Sequence, residues 1–144
     1  MPKTNGDGSR DWRDLTVPRE QVFRLEDRDG DGIADRAQLF AEGFNSEVSD
    51  VAGALLATGD EVFLGVAPDL WRLEDRDGDG AADHRTSISH GFQVHLGFGG
   101  HNMSGLTMGP DGRLYWGIGD IGMNVVDQTG KRWFYPNQGV IVRC

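Results

Sequence analysis

Two clusters of chemistry-bearing residues stand out in this 144-residue chain. The first is a pair of Asp-rich loops, Asp27-x-Asp29-x-Asp31-Gly32-x-x-Asp35 and Asp75-x-Asp77-x-Asp79-Gly80-x-x-Asp83. Alternate Asp side chains in a tight turn converge on one point, and calcium takes several hard oxygen ligands at once. The Gly residues permit the sharp bend. Ile33 and Ala81 stand at the seventh position, where a backbone carbonyl is offered. Carboxylates this close repel one another unless they are neutralised. Neither loop has the Glu that closes an EF-hand at its twelfth position; Gln38 and Thr86 stand there. Strands rather than helices are expected on both sides. The same residues also serve ordinary turn chemistry, so a solvated acidic turn is the alternative to a calcium site. On either account the role expected of the loops is structural.

The second cluster centres on His101, preceded by Gly99-Gly100 and followed by a strand, a tight turn at Pro110-Asp111-Gly112 and a second strand ending at Asp120. A hairpin of that length returns Asp120 to the end where His101 enters. A carboxylate beside an imidazole fixes its tautomer and raises its basicity, as a general base requires. A hydrogen-bonded structural His in a Gly-rich loop is the alternative. His84 follows an Asp-rich loop, His90 aligns with Glu42 at a polar strand end, and His95 lies in the connection leading to His101. Of these three, His95 has the best claim to line the same cavity.

A repeat positions both clusters. Phe23-Arg24-Leu25-Glu26-Asp27-Arg28-Asp29-Gly30-Asp31-Gly32 recurs 48 residues later as Trp71-Arg72-Leu73-Glu74-Asp75-Arg76-Asp77-Gly78-Asp79-Gly80, in a register that reaches Gly43-Phe44 and Gly91-Phe92. A second repeat relates Ala54–Gly65 to Gly105–Gly117, and Val140–Arg143 reads as a further strand copy. In the complete unit, four strands are predicted at about Ala52–Thr58, Glu61–Ala67, Leu70–Glu74 and Arg85–His90. Four strands in 48 residues is the size of one propeller blade. The expected fold is therefore all-β, a partial β-propeller of about two of six four-stranded antiparallel blades. Residues 1–20 are expected to be a loop or arm with Trp12 as an anchor. An incomplete blade is expected over 21–44, a full blade over 51–92 and an incomplete blade over 104–144. Phe23, Trp71, Tyr115 and Trp116 are expected to pack the blades. Trp133-Phe134-Tyr135-Pro136 lies in a long insertion between Gly122 and Gly139, a pocket lid or an aromatic clamp.

Composition agrees with strands and turns: 22 Gly residues suit turns and are costly in helices. The net charge of -9 argues against a nucleic-acid partner, which calls for a basic footprint. Cys144 is the lone cysteine, so no disulfide forms within the chain and no CxxCH haem site is present. No apolar run approaches the roughly 18 residues of a membrane span, and no signal peptide is visible.

The segment from His101 resembles the soluble PQQ-dependent glucose and sorbosone dehydrogenases, which are six-bladed propellers. His101, Leu106, Gly109-Pro110-Asp111-Gly112, Leu114-Tyr115 and Gly119-Asp120 match their motif without a gap. From about Trp12 onward the chain is still more similar to the membrane-bound dehydrogenase propellers of planctomycete-type bacteria, which are often joined to a cytochrome c domain. Those share the RLEDxDGDGxAD repeat and the GGHNMxGLTMGPDGRLYW segment. The resemblance implies a fragment of a PQQ-dependent sugar or alcohol dehydrogenase, with His101 as the base and Asp120 as its carboxylate partner. It also implies the cytochrome c domain as an electron acceptor and a periplasmic or secreted location, while calcium is the cofactor expected from the Asp-rich loops themselves. Ser104-Gly105 departs from the Gly-Arg usual in the sugar dehydrogenases. The basic residues that hold PQQ in that family lie in later blades, and no cofactor-binding residue is assigned here. The competing expectation is a non-catalytic, calcium-stabilised propeller used for binding.

Overall fold

The architecture comes from a computed structural model that describes residues 20–44, 52–93 and 101–144. The described residues are all-β, with eleven strands and no helix. β1 (Gln21–Glu26) and β2 (Arg36–Glu42) form an antiparallel pair. β3 (Ala54–Thr58), β4 (Glu61–Val66), β5 (Asp69–Glu74) and β6 (His84–His90) form one four-stranded antiparallel sheet in sequence order. This is the complete blade, within two residues of the boundaries expected from the repeat. β7 (Met103–Met108) pairs with β8 (Leu114–Ile118), which pairs in turn with β11 (Val140–Arg143). Between β8 and β11, β9 (Gly122–Val126) and β10 (Arg132–Pro136) make a separate hairpin. The insertion is thus a built β-ribbon and not an irregular loop. The sheets form a partial propeller and not a closed barrel.

Apolar residues of neighbouring blades meet face to face. Phe63, Leu70, Phe92, Met103, Leu106, Leu114 and Trp116 form the larger core, between the complete blade and the β7–β8–β11 sheet. Phe44, Leu64, Val66 and Leu73 form the smaller one, with Val22, Phe40 and Trp71 packed against it. β4 lies between the two cores, so its residues from Phe63 to Val66 are all buried and the usual alternation is lost. A fully buried Leu or Phe is worth about 2 kcal/mol, so these clusters hold the blades together. Gly53 permits the close approach of the complete blade to β7, since a Cβ there would strike the Met103 carbonyl.

The second Asp-rich loop docks on the first blade. Ala82 donates its N–H to the Phe40 carbonyl at 2.7 Å, and Gln38 donates Nε2–H to the Asp79 carbonyl at 2.9 Å. Arg85 donates to the Glu42 carbonyl at 3.2 Å while its guanidinium lies 5.6 Å from the Phe44 ring centre. Trp116 is buried as expected, and Trp71 partly so, but Phe23 is 50% exposed. Its burial needs a strand on the second edge of β1, and among the described residues that edge carries none.

Candidate functional site

His101 stands at the entry to β7 and Asp120 just after β8. The β7–β8 register pairs Met103 with Ile118 and Ser104 with Gly117, which brings the two flanking residues to the same end of the hairpin. Gly119 donates its N–H to the His101 carbonyl at 3.1 Å. Beyond this tie, His101 Nδ1 is hydrogen-bonded to Asp120 Oδ1. A carboxylate accepts, so Nδ1 carries the proton and Nε2 is the basic nitrogen. The side chains of His101 and Asp120 are 46% and 59% exposed, so solutes reach the pair. Met103 and Leu106 are buried beneath it and fix the strand that carries the His. Asn102, buried beside His101, was not singled out from sequence; its place inside the His101-Asn102-Met103 run was the available signal.

The two Asp-rich loops are built alike. In the first, Gly30 and Gly32 donate backbone N–H to the two oxygens of Asp27 at 2.7 and 2.8 Å. In the second, Gly78 and Gly80 do the same to Asp75 at 2.8 and 2.9 Å. The bonds from Gly32 and then Gly30 hold the Asp27 carboxyl below the ordinary carboxylate range. Gly30 and Gly32 have φ of 79° and 88°, conformations that a side chain disfavours. Carboxylate oxygens of Asp27, Asp29 and Asp35 lie within 4.8 Å of one another, as do those of Asp75, Asp77 and Asp83. Asp31 and Asp79 stand apart from these trios. Their carboxylates accept the N–H of Ile33 and of Ala81, each at 2.8 Å. Three converging carboxylates suit a hard cation. The same loops are also internally hydrogen-bonded turns, so the geometry serves both readings.

The remaining histidines lie elsewhere. His90 ends β6 with Nδ1 2.8 Å from Asp69 Oδ1, and His84 Nε2 is 3.2 Å from the Thr86 hydroxyl. His95, Gly99, Gly100 and Trp12 lie outside the described residues. In the β9–β10 ribbon, Trp133 donates its indole N–H to Asp127 at 2.9 Å and Lys131 Nζ lies 3.7 Å from the Trp133 ring centre. Trp133 packs on the larger core while Phe134 is exposed. The aromatic run therefore divides, one ring clamping the ribbon and the next facing solvent. Among the described residues no helix is long and apolar enough to cross a membrane.

No curated protein and no solved structure matches the chain. The family model described as a domain of unknown function, DUF7133, matches residues 2–141. The chain belongs to that family.

Proposed function

We propose that this domain is part of a sugar or alcohol dehydrogenase propeller in which His101 removes the substrate hydroxyl proton. The observation that supports this reading is the bond from His101 Nδ1 to Asp120 at an exposed hairpin end. A substrate hydroxyl facing Nε2 would pass its proton there as its carbon gives up hydride. Asp120 would stabilise the imidazolium that forms and hold the ring in its tautomer. PQQ, when bound, supplies the hydride acceptor.

The residues described here fit the proton half of that reaction. They do not fit the anchoring of a tricarboxylate quinone. The cations of the β7–β8–β11 sheet, Arg113 and Arg143, lie 4.0 and 3.8 Å from Asp111, at the opposite end of the β7–β8 hairpin from His101, and those of the β9–β10 ribbon, Lys131 and Arg132, lie against the Trp133 and Phe134 rings. Anchoring therefore falls to groups beyond the described residues, and no step is derived through the cofactor. In this proposal calcium occupies the Asp-rich loops as a structural ion, a cytochrome c domain accepts the electrons, and the site is periplasmic or secreted.

The test is dye reduction by the whole protein that carries this domain, supplied with PQQ and calcium and offered a panel of sugars and alcohols. Substrate-dependent reduction that is lost in His101→Ala is expected. Absence of reduction with every substrate overturns the proposal. It would leave the second reading, a calcium-stabilised binding propeller, which needs the Asp-rich loops and no catalytic base.

A further inference from the structure

The insertion between β8 and β11 stands at the same end of its sheet as His101. Ile118, the last residue of β8, lies opposite Met103 on one side and Val140 on the other. The chain therefore leaves the sheet for the β9–β10 ribbon, and returns from it, beside the His101–Asp120 pair. Gly122 donates its N–H to the Gly119 carbonyl at 3.2 Å and roots the ribbon opposite Pro136. Asn124 follows Asp120 by four residues, at most about 14 Å of extended chain.

The ribbon has two unlike faces. Val125 and Trp133 pack on the larger core. The other face carries Asn124 opposite Phe134 and Val126 opposite Arg132. All four are exposed, Phe134 by 53% and Val126 by 60%.

Arg132 is held in place on that face. Its Nε–H donates to Asn124 Oδ1 at 2.7 Å, and its guanidinium lies 5.1 Å from the Phe134 ring centre. Its terminal amino groups, Nη1 and Nη2, are given to no acceptor among the described residues. Every other described arginine except Arg85 faces a carboxylate within 4.0 Å. Arg85 is committed to the carbonyls of Glu42 and Gly43. Acids are plentiful in a chain of net charge -9, and this guanidinium is kept from them.

We propose that the exposed face of the β9–β10 ribbon is a subsite for a uronic acid unit of a saccharide, with Arg132 taking the carboxylate and Phe134 and Val126 taking the apolar face of the sugar ring. The two terminal amino groups of a guanidinium match the two oxygens of a carboxylate. Apolar surface beside a fixed polar group is how small-molecule sites set orientation. Asn124 is a positioning residue: it holds the guanidinium before the ligand arrives, so less freedom is lost on binding. One cation suits one acid, since Lys131 lies over Trp133 on the opposite face and does not join it. The inference rests on the dehydrogenase reading for the fate of the saccharide, whose neighbouring unit extends toward His101. The binding itself rests on the ribbon.

The test titrates the full 144-residue chain with sodium glucuronate, with its uncharged methyl ester and with sodium acetate. The Arg132 Nε–H and Phe134 ring signals are read by NMR. Glucuronate is expected to shift both, and to bind at least roughly threefold more tightly than the ester, the scale of an exposed charge pair. Arg132→Gln should remove that difference. Asn124→Ala should reduce it and speed exchange of the Arg132 Nε–H with water. Arg113→Gln, which removes an arginine already facing Asp111, should leave the difference unchanged. Four outcomes overturn the proposal: no shift at Arg132 and Phe134, acetate binding as tightly as glucuronate, the ester binding as tightly as the acid, or an equal loss in Arg113→Gln. The titration involves no turnover, so its failure is distinct from a failure of dye reduction. Glucuronate bound with no dye reduced would remove the dehydrogenase reading and uphold the subsite.

Discussion

Gly119 donates its backbone N–H to the carbonyl of His101 at 3.1 Å, and this bond fastens the two ends of the β7–β8 hairpin one residue before Asp120. A Cβ at position 119 would collide with the His101 backbone, so glycine is what lets the strands close at that point. The imidazole and the carboxylate meet because the backbone beneath them is already tied. Orientation is set before any ligand arrives, the condition under which a base contributes most.

In the active whole protein, His101→Ala is expected to lower turnover by a factor on the order of a hundred or more, the scale of losing a general base. Asp120→Asn should lower it less, because the base remains while its tautomer and orientation are impaired. The isolated 144 residues should show no turnover even with PQQ and calcium. Steady-state dye reduction measures all three, and full turnover by His101→Ala would return this residue to a structural role.

Calcium is expected to release heat on binding the chain, and the geometry ranks the aspartates. Asp29 and Asp77 belong to the converging trios, and Asp31 and Asp79 do not. The double variant Asp29→Asn, Asp77→Asn should weaken binding by roughly tenfold or more, since ligand charge tunes affinity across decades. The double variant Asp31→Asn, Asp79→Asn should weaken it less. Titration calorimetry decides, and negligible heat from the unmodified chain would leave the loops as plain turns.

The repeat made the complete blade legible because each strand is bounded by a Gly, Asp or Pro turn and recurs at a fixed spacing. The His101–Asp120 meeting was legible for a related reason: a hairpin of known length has only one place to return its end. Phe23 was misjudged from its residue type, since burial on an edge strand depends on what pairs beside it. Alternate spacing alone suggested that all four aspartates of a loop converge; the trios take in three of each loop, and Asp31 and Asp79 are not among them. The β9–β10 ribbon was missed because its turn is longer than a two-residue one, closed by backbone bonds between Asp127 and both Gly130 and Lys131 and by side-chain bonds to Asp127, and no Asn-Gly or Asp-Gly pair announces it.

Asp127 gives that ribbon a pH dependence. The Thr129 hydroxyl, first, and the Trp133 indole, second, hold its carboxyl down to about 2. A lowered carboxyl stabilises the fold above its unfolded value near 3.8, and that contribution is lost as pH falls toward about 2. The Trp133 indole N–H signal in an acid NMR titration should stay constant above pH 4 and move toward its unbonded position below it. In Asp127→Asn the same signal should be flat across that range. An identical acid transition in both proteins would remove Asp127 as its cause.

The two leucines of the repeat offer the sharpest separation of sequence from context. Leu25 and Leu73 lie in the same local sequence, Arg-Leu-Glu-Asp-Arg-Asp-Gly-Asp-Gly. Strand propensity and pattern therefore predict equal effects of truncation. The packing predicts unequal ones. Leu73→Ala empties a fully buried site in the smaller core, beside Leu64 and Val66, and should cost about 2–5 kcal/mol. Leu25 is 64% exposed, and Leu25→Ala should change stability by no more than about 0.5 kcal/mol. Urea denaturation of the two variants beside the parent chain measures the difference, read from the midpoint at constant slope. Equal losses would mean that Leu25 is covered in solution, and with it the face of β1.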